Sequence, residues 1–206
     1  MPRLLLVVEG HGDVESAPIL TRRVLHERLG NYVWELDTHR RGGLSHLRAN
    51  HWSHFRRYLG AAFNEECPIV WLIDCEDDCA WHIAAEMSAV ACEEVVRSPL
   101  AVCCWVREYE TMFLIDIDTT RQELGFPANV EGPDNPESVR GAKEWLSRQL
   151  PRGRRYRQRI EQPRLSANIS IDRLAREYRS FQHFAAVLGW ITAQVEPSVY
   201  PIRNVV

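Results

Sequence analysis

Leu4-Leu5-Leu6-Val7-Val8-Glu9-Gly10-His11-Gly12-Asp13 is the stretch that decides the fold. Five aliphatic residues in a row, closed by an acid and a glycine, are the pattern of a strand buried on both faces, which is what a covered parallel sheet requires. After the turn Gly10-His11-Gly12, Asp13 can cap a helix on which Ala17, Leu20, Val24 and Leu25 recur at helical spacing up to Gly30. The opening of the chain therefore reads as strand, turn and helix.

Working outward, the sequence predicts a second strand over residues 32–36, a loop carrying Arg40, Arg41, Gly42 and Gly43, and a helix over 45–62. Residues 68–73 repeat the unalternating apolar pattern and stop at Asp74; an acidic turn follows, then an alanine-rich helix from 81 towards 96 and a fourth strand over 100–106. Strands alternating with helices define an α/β class with a mainly parallel, four-stranded, Rossmann-like sheet flanked by helices, whose ligands bind outside the carboxyl ends of the strands. Glu9 and Asp74 both stand at such ends. Residues 125–136, rich in Gly, Pro and Asn, read as a loop, and 139–150 and 171–188 read as helices. The expected division is an α/β core over 1–118 and a loop and mainly helical extension over 119–206, packed on that core.

A chain of 206 residues can bury a core without covalent staples, and 45% hydrophobic with 26% charged residues is ordinary globular composition. The six cysteines form no regular framework and nothing at the N-terminus reads as a secretory signal, so free thiols in a cytoplasmic protein are expected. The run at residues 4–8 is far short of the ~20 apolar residues that span a bilayer. A net charge of −3 gives no global case for a polyanion partner. The distribution does better: residues 148–164 carry Arg148, Arg152, Arg154, Arg155, Arg157, Arg159 and Arg164 against one acid, Glu161.

Two acidic groups can carry chemistry. Glu9 leaves a buried strand beside a glycine that admits a ligand close to the backbone, with Asp13 and Glu15 in the next turn. In Asp74-Cys75-Glu76-Asp77-Asp78 the alternate spacing can direct Asp74 and Glu76 into one site. Oxygens of this kind hold hard divalent cations, and a cation would offset their mutual repulsion. The plainer alternative makes Asp77 and Asp78 helix caps and leaves Glu15 on a solvated face. His11 and His39 could serve as acid or base, though each reads equally as a loop residue. Cys75, Cys79 and His82 invite a zinc reading that their spacing, with no second ligand pair, does not support. Arg40 and Arg41, with two glycines, suit a phosphate-contact loop. Arg154, Arg155 and Arg157 suit phosphate contact with Tyr156 interleaved to stack on a base.

The segments Val7-Val8-Glu9-Gly10-His11-Gly12-Asp13-Val14-Glu15-Ser16 and Trp71-Leu72-Ile73-Asp74-Cys75-Glu76-Asp77-Asp78 resemble the Toprim pattern of a strand-end Glu and a later strand-end Asp-x-Asp, with Glu76 one methylene longer than the usual Asp. Residues 107–114 and 156–163 extend the likeness over most of the chain to the Toprim-like family known as domain of unknown function 4276. That resemblance implies magnesium- or manganese-dependent hydrolysis of DNA or RNA phosphodiesters, as in overcoming-lysogenization-defect nucleases. Asp74, Glu76 and Asp78 would hold metal, while Glu9 would either complete the coordination or take a proton from water. Arg157 would offset charge on the phosphate. Glu108 and Glu110, flanking Tyr109, are further metal ligands or positioning acids on this view, and helix-start acids on the other. Nucleases of that type work with an ATPase; the sequence has no Walker A run, so an ATPase would be a separate partner chain, in keeping with phage defence. Competing readings are a non-catalytic or partner-activated interaction subunit, and a nucleotide binder lacking the Gly-x-Gly-x-x-Gly fingerprint.

Overall fold

The computed structural model describes residues 1–62, 67–94 and 98–194. The expected strands become β1 (Arg3–Val8), β2 (Glu35–Arg40), β3 (Ile69–Asp74) and β4 (Leu100–Trp105), all parallel in the order β2-β1-β3-β4. Period-two geometry divides the continuous apolar runs between two cores. Leu4, Leu6, Val8, Val70 and Leu72 enter one apolar cluster, and Leu5, Val7, Ile69, Trp71 and Ile73 enter the other.

The second strand begins three residues later than its apolar residues suggest. Tyr32 and Val33 are exposed, while β2 is an edge strand that pairs only with β1, from Arg3 opposite Glu35 to Val8 opposite Arg40. An edge strand needs less apolar surface, and here the cross-strand ion pair between Arg3 and Asp37 (2.5 Å) stands in for it. Arg40 consequently ends a strand instead of lying in a loop.

Helix α1 (Asp13–Arg23) runs on through a wider turn at Val24–Arg28 and covers the first core with Ala17, Leu20 and Val24. Helices α2 (Leu44–Ala62) and α3 (Ala80–Glu93) cover the second with Leu47, Phe55, Ile83 and Met87. α2 is two helical pieces joined at a kink where Asn50, His51 and Trp52 take φ of 48°, 54° and 64°. The expected extension of α3 to residue 96 lies outside the described residues.

Beyond β4 follow α4 (Thr111–Ile115), α5 (Ile117–Leu124), a 3₁₀ turn at Pro136–Ser138, α6 (Ala142–Gln149), α7 (Gln158–Asn168), α8 (Ile171–Glu177) and α9 (Arg179–Gln194). α6 starts later than expected, after Gly141 at φ 68°, and the helix expected over 171–188 is two helices separated at the extended Tyr178. α7 falls in the arginine series, where charge and Pro163 mask the helical pattern. These helices share the first core: Leu146, Leu165, Leu174, Phe181 and Leu188 pack in the same cluster as Leu4 and Leu6, and Trp105 meets the rings of Tyr109, Tyr178 and Phe184. A boundary at residue 118 would cut α5, and residues 195–206 of the expected extension lie outside the described ones. No helix among the described residues is long and apolar enough to cross a membrane.

The order β2-β1-β3-β4 sends the chain outward from β1 to β2 and then back across β1 to β3. α1 and α2 therefore lie on opposite faces, and a crevice opens between the carboxyl ends of β1 and β3. Because one core joins sheet and C-terminal helices, Leu6→Ala and Leu165→Ala should each lower the stability of one shared unfolding transition by about 2–5 kcal/mol. Denaturant unfolding followed by fluorescence and circular dichroism checks this; two separate transitions would contradict it.

Candidate functional site

Glu9 and Asp74 emerge from neighbouring strands at that crevice. The Asp74 backbone N–H donates to Glu9 Oε1 (3.0 Å), and the Tyr109 N–H donates to Asp74 Oδ1 (2.9 Å). Asp13, in the first turn of α1, is buried: its Oδ2 accepts from the Gly10 N–H (2.7 Å) and its Oδ1 from Gln162 Nε2 on α7 (2.6 Å). Gly12 makes that approach feasible, since a Cβ there would overlap Gln162 and Gln158. Glu110, after β4, is fully buried, and neither of its carboxylate oxygens has a hydrogen-bond partner. Lys143 on α6 answers it, with Nζ 3.6 Å from Glu110 Oε2 and 3.5 Å from Glu108 Oε2. Glu108 Oε1 also accepts the Ala142 N–H at the start of α6 (2.7 Å).

Crowded acids with little water bind protons more tightly. Burial raises Glu9 to about 8, helped by the charges of Asp13 and Glu76 and opposed by the backbone N–H groups of Asp74 and Leu44. Burial likewise raises Glu110 to about 8 against the pull of Lys143. Asp74 is held well above the usual carboxylate range by burial and then by Asp13, Glu9 and Glu110. For Lys143 burial works the other way, but Glu110, Asp74, Glu108 and Asp13 outweigh it and keep the ammonium charged.

The other expected site residues are scattered. Glu76, at φ 47°, is exposed but lies close enough to bear on Glu9, and its N–H donates to the Arg107 carbonyl (2.8 Å). Asp77 pairs with Arg107 and Arg140, and Asp78 pairs with Arg48 (2.9 Å) beside the α2 kink, so neither caps α3 and Asp78 is not gathered with Glu9 and Asp74. Glu15 is on an exposed face of α1. Arg157 precedes α7, mostly exposed, with Nε 3.7 Å from Glu161 Oε1. Arg154 donates to the Leu124 carbonyl (3.3 Å), Arg155 is exposed, and Tyr156 is buried among Glu110, Tyr109 and Glu161, so it cannot stack on a base. Cys75 is buried with its Sγ donating to the Trp105 carbonyl, away from the exposed Cys79 and His82. Among the described residues no three His, Cys, Asp or Glu side chains are arranged to hold a metal ion.

A cleft of about 260 Å³ opens beside the acids, lined by Asp74, Glu76 and Glu108 and by the cations Arg107, Arg140 and Lys143. Sequence reasoning missed Lys143, Arg140 and Gln162. One trace of Lys143 was readable: it is the only lysine among 25 Lys and Arg residues. Nothing comparable marked Gln162, whose role depends on α7 docking against Gly12.

A parallel α/β domain with carboxyl groups collected at its topological switch point is the class that fold and site define. The chain belongs to the family described as Domain of unknown function (DUF4276), whose pattern matches residues 8–189. Comparison with curated proteins and with solved structures gave no match.

Glu9 and Glu110 bind protons in the folded protein that the unfolded chain releases near pH 4.5. Their contribution to stability is full below that pH and is lost as the pH rises through about 8. In chelator-containing buffer the melting temperature should fall over this interval, and Glu110→Gln should flatten the fall. A profile that rises across the interval in wild type would contradict the buried, protonated pair.

Proposed function

We propose that this site takes a divalent cation, magnesium or manganese, and that the protein hydrolyses phosphodiester bonds in DNA or RNA as a Toprim-type nuclease. The observation that carries the reading is the meeting of Glu9 and Asp74 at the β1–β3 switch point with Asp13 and Glu110 behind them. The donor set fits a hard cation: it is all carboxylate, and Glu110 keeps two buried oxygens without a partner. Glu9 and Asp74 would hold the ion, and Asp13, Glu76 and Glu110 are the further acids whose charges bear on them. Such an ion, when bound, polarises a phosphoryl oxygen and makes a bound water acidic.

The chain's own groups supply the rest. Glu9, whose Oε1 accepts the Asp74 N–H, would either complete the coordination or take a proton from the attacking water. Lys143 and Arg140, which line the cleft, offer positive charge to a phosphate there and take the part the resemblance gave to Arg157. An effector role in phage defence beside a separate cytoplasmic ATPase belongs to the same proposal and rests on the resemblance alone.

One observation favours a non-catalytic or partner-activated interaction subunit instead: Lys143 already answers Glu108 and Glu110, so an internal ammonium does part of a cation's work.

Purified protein incubated with labelled DNA and RNA should cleave with magnesium or manganese and stop with chelator. Glu9→Gln and Asp74→Asn should each lower the rate by roughly 10²–10⁴-fold with circular dichroism unchanged. Undiminished cleavage by both variants would move the active site elsewhere. Absence of cleavage by wild type with either metal would favour the interaction subunit.

A further inference from the structure

Residues 38–64 contain five arginines (Arg40, Arg41, Arg48, Arg56, Arg57) and four histidines (His39, His46, His51, His54) but no acid. The structure sorts four of these arginines into two kinds. Arg48 is neutralised by Asp78 and Glu86, and Arg56 by Glu93 and Glu94. Arg41 and Arg57 have no carboxylate partner among the described residues. Both are instead drawn to one ring, with guanidinium carbons 5.3 and 5.4 Å from the centroid of Tyr58. The two charges thus lie within about 11 Å of each other, near the Debye length of ~10 Å at 0.1 M salt. His46 and His54 stack beside them at 4.2 Å, His46 Nε2 meets the Tyr58 hydroxyl at 3.2 Å, and Arg41 Nη2 meets His39 Nδ1 at 3.2 Å.

Two guanidinium charges held on one ring, with imidazoles as neighbours and no acid paired with them among the described residues, repel one another until an anion arrives. The patch also adjoins the carboxylate site. Gly42 abuts His46, and Gly43 is so close to Glu9 that a Cβ there would come within 3.0 Å of Oε2. By contrast, Arg154, Arg157 and Arg164 are engaged by a carbonyl, by Glu161 and by Glu123.

We propose that Arg41, Arg57 and the His46–His54 pair on α2 form the phosphate-contact surface that holds a nucleic-acid strand and leads it over Gly42–Gly43 to Glu9. This rests on the nuclease reading for its partner and names the surface that the partner occupies. Phosphates seat against the two guanidiniums, whose stacking on Tyr58 fixes them beforehand, and the short glycine pair keeps side chains out of the strand's way.

The test measures binding of a short labelled single strand, and of its duplex, in chelator so that cleavage cannot intervene. Arg41→Gln with Arg57→Gln should weaken binding roughly tenfold or more and make the salt dependence shallower by about 1.4 in slope for the single strand and about 1.8 for the duplex, as for two lost phosphate contacts. The Arg41→Lys, Arg57→Lys pair keeps the charges and should restore most of the slope, which separates lost contact from misfolding. Unchanged affinity and slope in the Gln pair, a loss confined to an Arg154, Arg155 and Arg157 triple variant, or no binding of either probe by wild type would overturn the proposal. Binding that depends on Arg41 and Arg57 without metal-dependent cleavage would keep this surface and remove the nuclease reading. Lost cleavage in Glu9→Gln with wild-type binding would support both.

Discussion

Four carboxyl groups, Glu9, Asp13, Asp74 and Glu110, share one poorly solvated volume at the end of the sheet, and folding has to keep them from driving it apart. The protein uses three devices. Backbone N–H groups of Gly10, Asp74 and Tyr109 take one oxygen each from Asp13, Glu9 and Asp74. Lys143 lies within 3.6 Å of Glu110 and Glu108. The third is a raised proton affinity on Glu9, Glu110 and Asp74, set by burial and by the neighbouring charges. Even so, Glu110 keeps both carboxylate oxygens without a hydrogen-bond partner among the described residues.

The same constraint explains why the C-terminal helices belong to the core and do not form an appendage. β1 and β3 bring Glu9 and Asp74 together, but the helices complete their surroundings: α7 supplies Gln162 to Asp13, and α6 supplies Lys143. Without them, Asp13 would lose a buried hydrogen bond and Glu110 the ammonium beside it. Burial of Leu165 and Phe184 in the core on the α1 face of the sheet fixes these polar groups in place.

Much of this was legible in the sequence where a single physical signal dominates. Residues 4–8 and 68–73 read as central strands because strands covered on both faces must be apolar throughout, and the acids that end them read as a site because ligands bind there. Signals failed where tertiary packing overrides local pattern. Tyr32 and Val33 look like strand residues but precede an edge strand built of polar ones. Tyr156, surrounded by arginines in sequence, is buried in space, and Asp78 is drawn away by Arg48 from another helix. Counting charges favoured the longer arginine series, although Arg157 and Arg164 within it are already met by Glu161 and Glu123.

The scarcity of lysine has a chemical consequence. Guanidinium groups resist acylating reagents at neutral pH because they remain protonated, and the acids that keep the Lys143 ammonium charged protect it in the same way. In this chain the only side-chain amine is at Lys143, in the wall of the cleft. The carboxylate cluster thus shields the chain's one lysine side chain from such reagents, and the positive charge that Glu108 and Glu110 share stays in place.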